Sequence, residues 1–156
     1  MLVTAALSID PGTGGICIGA GIRLEPHQRK AAILPQIADW LVASQDHGNG
    51  YEWLHLDGLC FGGQPAALAL CFADGRLEQV SWSVVLPGAP MQDGWPMREA
   101  IDDEIAFVRD TLREFGLIAP GKPAKFAWGE IWSDFDPKGF LASNGLRYQT
   151  PFEAAN

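Results

Sequence analysis

Asp74-Gly75 stands between two runs, 66–73 and 77–86, in which alternate residues are apolar. An Asp-Gly pair in that setting is among the strongest short-range signals for a β-hairpin, because a two-residue turn needs positive φ at its centre. Gly62-Gly63-Gln64-Pro65 marks another turn, after a run at 51–61. Together they predict a three-stranded meander in the middle of the chain. With Ala73 opposite Arg76, Cys71 falls opposite Glu78, Ala69 opposite Val80 and Ala67 opposite Trp82. That register puts Leu54, Leu56, Ala67, Ala69, Cys71, Val80, Trp82 and Val84 on one face, which small residues make suitable for a close helix. The other face carries Trp53, His55, Phe61, Leu68, Leu70, Phe72 and Leu77, then turns polar at Gln79, Ser81 and Ser83.

The flanking segments extend the pattern. Apolar runs at 2–9 and 16–24 enclose Asp10-Pro11-Gly12-Thr13-Gly14-Gly15, which is turn chemistry and predicts a hairpin. Glu25-Pro26 opens a stretch read as two short helical pieces separated at Pro35. The second carries Ile37, Trp40 and Leu41 and ends at Asp46-His47-Gly48-Asn49-Gly50. After a Pro/Gly-rich loop at 87–96, Ile101, Ile105, Val108, Leu112 and Phe115 recur at helical spacing and predict an amphipathic helix over 96–115. Pro96 suits its first position, and Gly116 its C-terminal stop. Ala119-Pro120-Gly121-Lys122-Pro123 reads as a linker, and strands at 124–133 and 140–149 close the chain. The order ββ-α-βββ-α-ββ predicts one α+β domain over 1–156, with a predominantly antiparallel sheet of about seven strands and helices on one face.

The length of 156 residues suffices for a hydrophobic core, and 47% apolar against 19% charged residues excludes a disordered chain. A net charge of −8 argues against nucleic acid and anionic membrane as partners, since both call for excess Lys and Arg. Cys17, Cys60 and Cys71 form neither a disulfide framework nor a Cys-x-x-Cys site, and they read as buried, inert thiols. No apolar run is long enough to span a membrane, and residues 1–9 read as a strand rather than a signal peptide. A cytoplasmic setting is expected.

Motifs that dictate chemistry are missing. His27, His47 and His55 have no ligand-spaced partners, no serine sits in a Gly-x-Ser-x-Gly elbow, and the glycines at 12–15 precede a strand rather than a helix. Adjacent carboxylates Asp102, Asp103 and Glu104 diverge around a helix. The expectation is therefore no catalytic residue, no metal and no cofactor.

Six tryptophans are the unusual feature. Trp128, Glu130, Trp132 and Asp134 alternate, so a strand would place all four on one face, with Asp136 in the turn beyond. Two large anchors beside carboxylates describe a contact surface better than a monomer's interior, because unpaired buried charge is costly. These five residues are the candidate partner-binding site.

The segments 46–54 (Asp-His-Gly-Asn-Gly-Tyr-Glu-Trp-Leu), 75–82 (Gly-Arg-Leu-Glu-Gln-Val-Ser-Trp) and 128–136 (Trp-Gly-Glu-Ile-Trp-Ser-Asp-Phe-Asp) resemble the small acidic α+β immunity proteins that bacteria keep against their own secreted toxins. The resemblance lies in size, charge and aromatic-plus-acid patterning over the whole chain. It implies a cytoplasmic, cofactor-free binder that occludes the active site of a basic toxin domain. Two alternatives stay open: a small enzyme or ligand-binding domain with a pocket between sheet and helices, using His47 or His55 and Glu130, and a homodimer formed through the aromatic sheet face.

Overall fold

A computed structural model describes residues 4–117 and 124–150. The elements, in chain order, are β1 (Ala5–Ile9), β2 (Ile16–Ile18), β3 (Ile22–Leu24), α1 (Lys30–Ile37), β4 (Leu41–Asp46), β5 (Tyr51–Phe61), β6 (Gln64–Ala73), β7 (Arg76–Val84), β8 (Met91–Gln92), β9 (Trp95–Pro96), α2 (Arg98–Glu114), β10 (Ala124–Phe126), β11 (Gly129–Asp136) and β12 (Leu141–Tyr148). The expected linker at 119–123 and the start of the first predicted strand lie outside the described residues.

The fold is α+β, with a large, mostly antiparallel sheet. That sheet has ten strands rather than about seven, in the order β10-β11-β12-β7-β6-β5-β1-β2-β3, with β4 paired to β5. β5 is long enough to serve two neighbours along one side: β4 pairs with its first half and β1, in parallel, with its end. The parallel β1–β5 pair is the exception in an otherwise antiparallel ladder.

The predicted meander forms, but its register differs from the expectation. Ala73 does oppose Arg76, yet Glu78 is an extra residue in β7, so Cys71 opposes Gln79, Ala69 opposes Ser81 and Ala67 opposes Ser83. A matching irregularity in β5 at Asp57 and Gly58 takes up one residue between the Leu56–Leu68 and Leu59–Ala66 pairs. A β-bulge shifts the ladder by one, and a one-residue shift sends every side chain to the opposite face. The two bulges flank β6. They turn Leu68, Leu70 and Phe72 into the core beside Leu54, Leu56, Val80 and Trp82, and leave Ala67 and Ala69 on the far side.

The chain at 41–46 is a strand, not the second helical piece: β4 forms a hairpin with β5, Asp46 opposite Glu52. The turn Asp46-His47-Gly48-Asn49-Gly50 thus closes a hairpin instead of ending a helix. α1 is continuous over its eight residues and carries Pro35 inside it. α2 begins at Arg98, so Pro96 lies in β9 rather than at the first helical position. Its C-terminus behaves as expected. Gly116 has φ +89, its N–H donates to the Arg113 carbonyl, and Leu117 N–H donates to the Leu112 carbonyl. That pair of bonds is a Schellman stop, which needs the left-handed residue that glycine supplies.

Ile101, Ile105, Val108 and Leu112 are buried, with Phe115 partly so. α2 lies over β11 and β12, whose inward residues are Ile131, Ser133, Asn144 and Leu146. Buried polar contacts fix this packing. Asn144 donates to the Trp82 carbonyl (3.1 Å) and to the Glu104 carboxylate (2.8 Å), and accepts from the Ser133 hydroxyl (2.6 Å). Glu104 also accepts from Val84 N–H, and burial raises its pKa above the ordinary carboxylate range. α1 adds Ile33 and Ile37 to the same core.

The β1–β2 turn and the link between β3 and α1 meet the C-terminal end of β12 in a seam held by side-chain hydrogen bonds. Tyr148 on β12 donates its hydroxyl to the Gly14 carbonyl in the β1–β2 turn at 2.6 Å, and His27 bonds the Gln149 carbonyl.

Candidate functional site

Between Ile131 and Ser133, which point at α2, β11 turns Glu130, Trp132 and Asp134 to the opposite side. That side carries no helix of the described residues. Its floor is made of small side chains: in the row that starts at Trp132, the cross-strand partners are Gly145, Ser81, Ala69 and His55. A shallow depression of about 400 Å³ opens on this floor, lined by Ala67, Ala69, Ser81, Ser83 and Ser143, with Val42 and His55 toward one end and Leu141 and Asp136 toward the other. Asp57 and Asp136 are its ionisable acids, and no Lys or Arg of the described residues lines it.

Each candidate residue has a definite place. Trp132 lies across β12 with its indole N–H donating to Ser143 Oγ at 3.1 Å. It can lie there because position 145 is glycine: a Cβ at Gly145 would come within 2.8 Å of the indole ring. Asp134 pairs with Arg109 of α2 at 2.8 Å, and the same guanidinium donates twice to the Ser133 carbonyl. Among the described residues β10 covers β11 only as far as Ile131, and Arg109 reaches around the edge just beyond that point. Asp136 accepts from Lys138 N–H and so shapes the β11–β12 turn. Glu130 sits between Lys125 and Arg147 across the ladder, beside a second depression of about 340 Å³.

Trp128 departs from the expected alternation. It belongs to the turn between β10 and β11, ahead of Gly129, whose φ of +153 suits glycine and whose added Cβ would meet the Arg147 carbonyl at 2.1 Å. This kink sends Trp128 to the seam against the β1–β2 turn. It stacks on Phe126, meets Tyr148 edge-on, and donates to the Pro11 carbonyl at 3.0 Å. Glu130, Trp132 and Asp134 therefore share a face, while Trp128 clamps the β1–β2 turn. Neither tryptophan is fully buried.

The residues named for a catalytic alternative stay apart. His47 is in an exposed turn, and His55 stacks on Trp53 and contacts Gln45 at 3.3 Å. Four strand spacings separate β5 from β11, so His55 and Glu130 are about 19 Å apart along the sheet. Among the described residues, no group of three or more His, Cys, Asp or Glu could hold a metal ion, and no helix is long and apolar enough to cross a membrane. All three cysteines are free thiols; Cys71 is buried, which pushes its pKa up to about 11, whereas Cys17 and Cys60 are only half-buried.

Sequence reasoning missed the depression's floor, because the two bulges reverse the face on which the alanines lie. The signal was available: Leu68, Leu70 and Phe72 are larger and more apolar than Ala67, Ala69 and Cys71, so burial favours the leucine face.

No family model matches the chain, and no curated protein matches it. A chain of the solved structure described as "Rhs1-CT in complex with cognate immunity protein RhsI1" is similar, with a TM-score of 0.49 and 11% sequence identity, over 92% of this chain and 87% of that one.

Proposed function

We propose that the chain is a protein-binding module whose contact surface is the open face of its sheet, and that it serves as a cytoplasmic immunity protein against a basic toxin domain. The observation that carries the reading is the contrast on β11. Ile131 and Ser133 are buried under α2, while Trp132 and Asp134 face a floor of Gly, Ala and Ser that no described helix covers, and Glu130, on the same side, faces Arg147 and Gln79. A side-chain-poor floor lets a partner approach the backbone closely. Trp132 at its border supplies a large anchor, and its orientation is already set by Ser143 and Gly145, which lowers the ordering cost of binding. Asp57 and Asp136, with no Lys or Arg among the described residues lining the depression, favour Lys or Arg on the partner. Glu130, between Lys125 and Arg147, and Asp134, paired with Arg109, add carboxylates to that border with a cation beside each. Trp128 contributes by clamping the seam behind β11.

The test is a search of the adjoining genes for a secreted-toxin domain, then surface plasmon resonance against that domain, with a growth-protection assay in parallel. Trp132→Ala is expected to weaken binding by about 2 kcal/mol or more, chiefly through faster dissociation. Glu130→Gln and added salt are expected to slow association. Absence of such a neighbour, or a complex indifferent to Trp132→Ala, would remove the proposal.

A further inference from the structure

The hairpin of β8 and β9 exposes apolar surface that its own folding does not require. Trp95 is 68% exposed, Met91 52% and Met97 41%. Met91 pairs with Pro96 and Gln92 with Trp95. Paired residues share a face and neighbours in a strand oppose, so Met91 and Trp95 point to opposite sides of the hairpin. The arm therefore offers apolar groups in two directions.

Its shape is set in advance. Asp93 and Gly94 both have positive φ, +52 and +82, and close a tight two-residue turn. Met97 N–H donates to the Pro90 carbonyl at 3.0 Å and ties the base of the arm.

The surroundings are acidic. Asp93 is at the tip, and Glu99, Asp102 and Asp103 are exposed on the first turns of α2, four carboxylates against the single guanidinium of Arg98 between 91 and 103. Arg98 is already engaged, bonded to Asp102 at 3.0 Å with its guanidinium 3.8 Å above the Phe135 ring. Among the described residues no ion pair engages Asp93, Glu99 or Asp103.

We propose that this arm docks a basic amphipathic segment of a partner protein. Trp95 and the adaptable Met97 take the segment's apolar side, while Met91 lies on the other side of the arm. Asp93, Glu99 and Asp103 take its Lys or Arg side chains. A second copy of this acidic chain is a poor occupant, since it would bring the same carboxylates face to face. The arm is a different surface from the open sheet face, and it stands or falls separately.

The test follows tryptophan indole N–H resonances of the full chain, assigned through single Trp→Phe variants, during titration with synthetic helical peptides of about 18 residues, roughly five turns. One peptide has Lys on one side and Leu on the other. The controls replace Leu by Ser, or Lys by Glu. The Lys/Leu peptide is expected to shift the Trp95 signal saturably, with both controls about tenfold weaker or worse. Trp95→Ala should lose about tenfold in affinity at an unchanged melting temperature. A silent Trp95 signal, equal binding by the Glu/Leu peptide, unaltered affinity in Trp95→Ala, or a dimer in sedimentation that Trp95→Ala abolishes would each overturn the proposal. The Trp132 signal reports the open face in the same spectra, so the two surfaces are scored independently.

Discussion

The two faces of one sheet differ here in kind. Toward the helices, Leu54, Leu56, Leu68, Leu70, Val80, Ile131 and Leu146 are buried with almost no solvent access. On the reverse side of the same strands stand Ala67, Ala69, Ser81, Ser143 and Gly145. Large side chains interdigitate and exclude water, which stabilises the fold. Small ones leave the backbone near the surface, where they add little to the core and leave a partner room to approach. The core and the proposed recognition surface are thus separated by the thickness of a single layer.

That separation breaks most sharply at β6. Leu70→Ala should cost about 2–5 kcal/mol in chemical denaturation, the range for deleting a buried leucine. Its neighbour Ala69→Ser should stay within about 0.5 kcal/mol, as an outward substitution does. Comparable losses at both positions would show that the open face is covered. Asn144→Leu comes next: it leaves the Glu104 carboxylate and Ser133 hydroxyl without their shared partner, at about 2–4 kcal/mol. Gly145→Ala acts from the other side of the sheet. Its Cβ would crowd the Trp132 ring and the Val80 carbonyl, at about 1–3 kcal/mol, and would move the proposed anchor. Partner binding should therefore fall further than stability does, whereas an unmoved affinity would separate Trp132 from recognition.

The smallest effect concerns pH. Burial raises the pKa of Glu104 in the folded chain, so the fold favours its protonated form. Its contribution to stability is full below the unfolded glutamate value of about 4.3 and declines as pH rises through the folded value. Glu104→Gln keeps an oxygen for Val84 N–H and Asn144 without the buried charge. The variant should melt higher than the parent at neutral pH, and the difference should shrink in acid. A variant that melts lower at neutral pH would mean that the ionised carboxylate's hydrogen bonds outweigh its desolvation.

Much of the fold was legible because its signals are local. Asp74-Gly75 needed only two residues with positive φ to make a turn, and it did so. The stripe from Ile101 to Leu112 has one period, and its helix buries that stripe. The failures fall where a local signal had two solutions. The segment 41–46 is short and nearly all exposed, so neither period marks it; pairing with β5 made it a strand. Pro35 is the sixth residue of α1 and removes one intrahelical N–H bond, yet the helix runs on two residues past it to Ile37, which is buried in the core. On β11, Glu130, Trp132 and Asp134 alternated as expected, but the conformation of Gly129 took Trp128 out of their row.

The residues themselves therefore determined the turns, the strand-rich α+β class, the amphipathic helix and the concentration of tryptophan and acid near the C-terminus. Tertiary structure decided which side of each strand became the inside. The strand period is two, so one inserted residue exchanges the faces, and local pattern cannot weigh that insertion. The bulges at Glu78 and at Asp57-Gly58 are settled by the whole core, where Leu68, Leu70 and Phe72 bury more apolar area than Ala67, Ala69 and Cys71 could.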